Sequence, residues 1–349
     1  MKKYELTQNS IKINNRTLYQ IKALKDFGSV KKGDLGGFIE SENNLNHDGN
    51  CWISGNALVY ENAWVYENAW VSGNAKVYGK TEVYGNVHVY GNVQVYENAL
   101  VHEDALVSGD ALVSGNAQIY GNTLIYENAQ IYGNAQIYGN AWVYGSARVS
   151  ENAYIYGDAY IYGDAWVFGN ARIYGDTRIY GNVRVYENAL VHEDAQIYGN
   201  AQVSGNVQVF GNAQVSGSAQ VSGNAQVYGD ARVFRNAQVY GKAWVSGNAR
   251  VFGDAQVFEN AQVSGSAQVS GNAQVYGNAQ VYGNAHVYGD ARVSGNARLG
   301  NVPVNFNCDF DPYETLKEIL NCPKILPVLS GLNENLDKLI STILIKTST

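Results

Sequence analysis

The sequence predicts an all-β fold, a solenoid of short parallel strands stacked along one axis, and three observations predict it. First, a six-residue phrase close to A-Q-V-Y-G-N runs without a slip from Ile53 to Leu299. Every sixth residue in that span is Val, Ile or Leu, which places 42 aliphatic residues in register. Second, with that residue as position 1, positions 5, 6, 1 and 2 read small, polar, aliphatic, aromatic-or-Ser. This is the period-2 alternation of a half-buried strand. Third, positions 3 and 4 are mostly Gly followed by Asn or Asp, residues that tolerate positive φ and turn the chain. Each phrase is thus one strand and one corner. A strand this short cannot bury its own apolar face, but stacked copies share a continuous core.

The core and corners follow from the exceptions. Position 5 is Ala except at Thr81, Val87, Val93, Thr123, Thr177, Val183 and Val207, so the interior is narrow. Position 3 is Glu or Arg at Glu61, Glu67, Glu97, Glu103, Glu127, Glu151, Glu187, Glu193, Arg235 and Glu259, each followed by Asn or Asp. Every corner therefore keeps at least one residue suited to the left-handed region.

The phrase V-Y-G-N-A-Q resembles the hexapeptide repeat of left-handed parallel β-helices, the trimeric LpxA-like superfamily. That resemblance implies three phrases per triangular coil of 18 residues, hence about 14 left-handed coils. At about 4.8 Å per coil the rod would be ~65–70 Å long. The family often carries Gly, Ala or acidic residues at position 2, where this chain has Tyr or Ser.

Residues 1–50 leave the repeat and are expected to form a small β-rich cap. Ile11–Ile13 and Leu18–Leu24 alternate as short strands, and Gly33-Asp34-Leu35-Gly36-Gly37 reads as tight turns. The start lacks the apolar core of a signal peptide. The segment LYQIKALKDFGSVKKGDLGGFIESENNL resembles the amino-terminal region of YdcK-like proteins, hexapeptide-repeat proteins of bacteria and phages labelled acetyltransferases. Residues 51–300 form the solenoid. Residues 301–349 hold all four prolines, and Asp311-Pro312-Tyr313-Glu314 is a helix start. A second helix from about Asn333 would carry Leu336, Leu339, Ile340, Ile343 and Leu344 on one face. This helical tail would seal the last coil or pack against a neighbouring subunit. Its apolar runs are short and broken by Lys338 and Lys346, which argues against a membrane helix.

The net charge of −7 divides as +2 over the leader, −7 over the repeat and −2 over the tail. Arg172, Arg178 and Arg184 fall in consecutive phrases and so point from three different faces. Nucleic acid is not an expected partner. Cys51, Cys308 and Cys322 have neither disulfide-framework nor metal spacing, as in a reducing cytoplasm.

Five histidines are candidate bases: His47, His88, His102, His192 and His286. The resemblance implies a histidine base beside an extruded loop at a subunit interface, with acetyl-CoA as the cofactor of an acyltransferase. The repeat admits no such loop. His102 and His192 stand out, in matching segments YENALVHEDAL and YENALVHEDAQ. Their separation of 90 residues is five coils, so both face one way ~24 Å apart. They form either a His-Glu-Asp site occurring twice or the trace of a segmental duplication. All six Trp (Trp52, Trp64, Trp70, Trp142, Trp166, Trp244) sit at position 6 and should face outward. On the 18-residue coil Tyr126, Tyr144, Tyr162, Tyr180 and Tyr198 form one ladder, and Tyr120, Tyr138, Tyr156 and Tyr174 another. Such columns bind sugar rings or a protein partner, or stabilise the sheet. The function expected is a non-catalytic scaffold or binding surface without a cofactor, whose partner is a protein, a glycan or a second copy. The alternative is an acyl-CoA-dependent acyltransferase acting at a subunit interface.

Overall fold

Short strands form where the sequence alternates, and corners form where Gly-Asn or Gly-Asp interrupts it. In the computed structural model, which describes residues 2–305, nearly every phrase contributes a strand of two to four residues covering positions 6 and 1. Trp142–Val143 and Tyr154–Ile155 are examples. Strands three phrases apart pair in parallel, Ile125 beside Val143 and Val143 beside Ile161. The chain visits three sheets in turn, of 17, 15 and 14 strands. We call the faces first, second and third after Ile53, Val59 and Val65, the aliphatic residues that begin them. Backbone amides donate along the axis: Leu124 N to Ala141 O at 2.9 Å, Tyr126 N to Val143 O at 3.1 Å, Asn128 N to Gly145 O at 2.9 Å. Each residue therefore lies against a residue of its own phrase position. The expected tail helices, Cys308 and Cys322 lie outside the described residues.

The core is what that register requires. Position-1 and position-5 side chains, such as Val143, Ile155, Ala141 and Ala153, are wholly buried. Thr81, Thr123 and Thr177 are buried too. Their hydroxyls donate to the carbonyls of Tyr78, Tyr120 and Tyr174 at 2.8, 2.6 and 2.8 Å. Each threonine is tolerated because no polar atom is left unpaired.

The corners differ from the expectation in one respect. The left-handed residue is position 3 even where that residue is not Gly: Glu61, Glu151 and Arg235 have φ of 62°, 58° and 64°. The following Asn or Asp does not take over the role. A non-Gly residue there costs about 1–2 kcal/mol. Part of that cost is offset at Glu61, Glu103, Glu193 and Glu259, whose carboxylates accept the amide of the Gly one coil on at 2.8–2.9 Å.

The leader folds as β1 (Tyr4–Ile13), β2 (Arg16–Ala23) and β3 (Leu35–Ile39). β1 and β2 pair antiparallel, β2 and β3 likewise, and β3 then lies parallel to Leu58–Val59, with Phe38 beside Leu58. Gly36 and Gly37, read from sequence as turn residues, are inside β3. A Cβ on Gly36 would lie 2.5 Å from the Ile53 carbonyl oxygen, and one on Gly37 would lie 2.5 Å from that of Ala57. These glycines let the cap sit close on the first coil. Trp52 is likewise not outward-facing: it is 2% exposed beneath the cap, edge-on to Phe27 at 5.4 Å. Polar contacts hold the leader down. The buried Lys3 ammonium donates to the Cys51 carbonyl at 2.9 Å and contacts the Cys51 sulfur at 3.2 Å. Arg16 meets Glu40 at 2.8 Å and Glu61 at 3.5 Å.

Two comparisons test this packing. Ile155→Asp buries a charge and should cost about 4 kcal/mol or more, whereas Gln202→Lys on an outward row should stay within about 0.5 kcal/mol. Equal losses in thermal denaturation would mean the faces are reversed. At the corners, a Cβ on Gly205 would lie 2.5 Å from the Gly223 carbonyl oxygen, and on Gly229 no closer than 3.2 Å to Gly247. Gly205→Ala should therefore lower the melting temperature more than Gly229→Ala, although φ is positive at both.

Candidate functional site: stacked aromatic and amide ladders

Because like positions lie one coil apart, the outward position-2 rings meet face to face. On the first face Tyr126, Tyr144, Tyr162, Tyr180 and Tyr198 stack with centroid separations of 4.7, 4.9, 4.9 and 5.1 Å and tilts of 4–6°. The longest ladder is on the third face. It runs Tyr66, Tyr84, His102, Tyr120, Tyr138, Tyr156, Tyr174, His192, Phe210, Tyr228, with separations of 4.6–5.2 Å. Both histidines singled out as candidate bases are rungs of this ladder. Each ring inside a ladder has both faces covered by its neighbours. Edges and phenol hydroxyls are what the columns offer outward, so a sugar ring could stack only at a ladder's end.

The His102-Glu103-Asp104 triplet is accounted for piece by piece. His102 lies between Tyr84 and Tyr120 at 4.9 Å from each. Glu103 accepts the Gly121 amide, and Asp104 accepts the Asn86 side-chain amide at 2.8 Å. His192 repeats the arrangement between Tyr174 and Phe210, with Nδ1 3.7 Å from Glu193. Burial lowers the pKa of both imidazoles, opposed in part by Glu103 and Glu193. The other histidines are dispersed. His47 stacks on Tyr4 at 4.3 Å, and His286 meets Ser270 at 3.2 Å. His88 is exposed. The described residues bring no two histidines together and hold no group of three or more His, Cys, Asp or Glu side chains that could bind a metal. Among them no helix is long and apolar enough to cross a membrane.

The second kind of ladder, made of side-chain amides, was not read from the sequence. Asn98, Asn116, Asn134, Asn152, Asn170, Asn188 and Asn206 each donate Nδ2–H to the Oδ1 one coil on, at 2.9–3.1 Å, and the run ends at Asn224, which accepts from Asn206. Shorter runs end at Asp, as at Asn86–Asp104 and Asn140–Asp158, because a carboxylate accepts but has no hydrogen to pass on. Between the long asparagine ladder and the third-face rings lies an open groove of about 970 Å³, lined along its length by Tyr154, Arg172, Leu190 and Gln208. The Tyr154 ring stands at 73° and 69° to Tyr138 and Tyr156, and its oxygen accepts the Tyr138 hydroxyl at 2.5 Å. The signal for the groove was a row of residues 18 apart. A smaller hollow of about 780 Å³ lies where the cap meets the first coils, lined by Arg16, Glu40, Glu61 and Lys80.

The YdcK beta solenoid repeat matches the chain at residues 53–67, 135–151, 177–193, 195–209, 201–217, 225–241, 243–259, 267–283, 273–289, 279–295 and 285–301. No curated protein matches the chain. The repeat matches and the parallel solenoid together support a YdcK-like repeat protein.

The ladder histidines set a pH dependence. A folded pKa held below the unfolded value of about 6.5 means that the unfolded chain binds more protons in that window. Stability should fall as pH drops through about 6.5 and on through the lowered folded values. Replacing both rungs by rings that do not titrate, His102→Phe with His192→Phe, should remove that component from melting curves taken between pH 8 and 5. An undiminished acid loss in the double variant would contradict the assignment.

Proposed function

We propose that the protein is a non-catalytic rod of left-handed, triangular coils of 18 residues, offering its ladders as a rigid binding surface. A protein, a glycan or a second copy of the chain is the partner such a surface serves. The observation that carries this reading is the ten-ring ladder of the third face. It takes up both candidate bases as stacked rungs. The repeat itself adds support, since it is uninterrupted from Ile53 to Leu299 and extrudes no loop. General-base catalysis needs the base within hydrogen-bond reach of its substrate proton, and a ring sandwiched at 4.9 Å on both sides is committed to packing. A rigid surface also loses little conformational entropy when it binds, which favours recognition by a rod over recognition by loops.

Purified protein should accordingly show neither binding of acetyl-CoA nor acyl transfer to amines or sugars. His102→Ala with His192→Ala should lower thermal stability, because two rungs of the ladder are removed. Specific coenzyme A binding lost on either single change would replace this reading with the acyltransferase.

A further inference from the structure

We infer that the third face holds a binding site for a neutral, planar heteroaromatic compound, seated where two serines interrupt the column of rings. Such a site goes beyond the scaffold function, and neither depends on the other. Position 2 of this face carries rings from Tyr66 to Tyr228, then Ser246 and Ser264, then Tyr282. Tyr228 stacks on Phe210 at 4.9 Å on one side, and its neighbour on the other is Ser246. Tyr282 leans away from the serines: a Cβ on Gly300, one coil on, would lie 2.5 Å from the Tyr282 ring carbon Cε2. Tyr282 is 43% exposed and, among the described residues, pairs with no other ring. Two uncovered ring faces therefore bound the gap, one at each end.

The length of the gap decides whether it is open. Where one serine stands between two rings, as Ser108 does between Tyr90 and Tyr126 or Ser150 between Tyr132 and Phe168, the serine is buried. Ser114, Ser216 and Ser270 follow the same rule. Ser246 and Ser264 are only half-buried, so two serines in succession leave a slot that the flanking rings do not close. Tyr228 and Tyr282 are three coils apart, about 14 Å. Less the thickness of one ring, about 3.5 Å, that leaves about 11 Å. Two further flat rings fit there at the ladder's own separations of 4.6–5.2 Å.

Trp244, on the strand that carries Ser246, sets this gap apart. Each of the other five tryptophans is occupied. Trp52 is buried against Phe27, Trp64 stacks on Tyr66, and Trp142 meets Tyr126 and Tyr160. Trp70 and Trp166 donate their indole N–H to Ser54 and Ser150 at 3.2 and 3.3 Å. Trp244 has neither an aromatic partner nor a hydrogen bond among the described residues, and at 42% it is the most exposed of the six. The second face has a matching gap at Ser204 and Ser222, between Tyr186 and Tyr240, but only Gln202 and Gln220 stand beside it. The lining also selects the ligand. No charged side chain stands at position 6 or 2 across the third-face gap, so an ionic ligand finds no counter-charge. The indole N–H and the serine hydroxyls suit the ring nitrogens and carbonyls of a heteroaromatic. A flat ring stacks on both its sides, as the rungs do, whereas a pyranose is puckered and rimmed with hydroxyls.

The test is a titration with riboflavin, a neutral heteroaromatic whose fluorescence is quenched on stacking against Trp or Tyr, beside calorimetry with neutral maltohexaose. Riboflavin should bind, with quenching, more tightly than the sugar. Ser246→Tyr with Ser264→Tyr fills the gap with the residue the ladder already uses, so the variant stays within the pattern that folds; melting curves verify it. Riboflavin affinity should fall at least tenfold in that variant. Trp244→Gln, which installs the commonest position-6 residue of the repeat, should weaken binding at least threefold. Ser204→Tyr with Ser222→Tyr on the second face should leave it unchanged. Failure of riboflavin to bind, equal or tighter binding of maltohexaose, undiminished affinity in the third-face variants, or an equal loss in the second-face variant would each overturn the assignment. None of these outcomes touches the scaffold reading, which falls on coenzyme A binding lost when His102 or His192 is changed.

Discussion

Every residue of the repeat lies against its own counterpart one coil on, and the rest of the molecule follows from that constraint. A side chain in such a stack must be compatible with a copy of itself at about 4.8 Å. Aliphatic and small residues meet the condition by packing, and so fill positions 1 and 5. Planar rings meet it by stacking. Asparagine meets it because one amide is both donor and acceptor, so identical residues complete each other. Like charges meet it poorly, since two unit charges at such a distance repel by about 1 kcal/mol even in water, and they stack at few places, as where Arg232 lies beside Arg250 and where Asp158, Asp176 and Asp194 follow one another 18 residues apart. Charged residues make up 16% of this chain against about 25% in ordinary proteins, and the outward rows are accordingly mostly Gln, Asn, Ser and Tyr.

The corners obey the same condition. Each position-3 Glu or Arg is followed 18 residues later by Gly, and the amide of that Gly receives the carboxylate at Glu61, Glu103, Glu193 and Glu259. An axial hydrogen bond thus offsets part of a strained backbone. The stacked surface is built from many short-range repeats, so most outward side chains have a structural occupation before any function is considered.

The solenoid was legible in the sequence because a six-residue period fixes which side chains are buried without knowledge of distant contacts. The first-face tyrosine ladder was legible for the same reason, once residues 18 apart were paired. The rungs at His102 and His192 could have been found by that same arithmetic, since 84, 102 and 120 are evenly spaced, as are 174, 192 and 210. Treating the histidines as chemistry hid them as geometry. Other features had no local signal. Trp52 obeys the repeat and would face outward, but the leader folds over it. Gly36 and Gly37 look like turn residues until Ile53 and Ala57 are brought within reach. The turn of Tyr154 depends on Tyr138, 16 residues before it and in the adjacent coil.

The most direct test of the stacking constraint is a set of distances along the rod. Spin labels introduced as unnatural amino acids at corner positions 128, 182 and 254 would be three coils apart for the first two and seven for the outer pair. At about 4.8 Å per coil the separations between label sites should be about 14 Å and 34 Å, measured by dipolar spectroscopy. Separations that grow with residue number at that fixed rate per 18 residues are the expected result. Separations that follow another period, or that do not scale with the number of intervening coils, would contradict it.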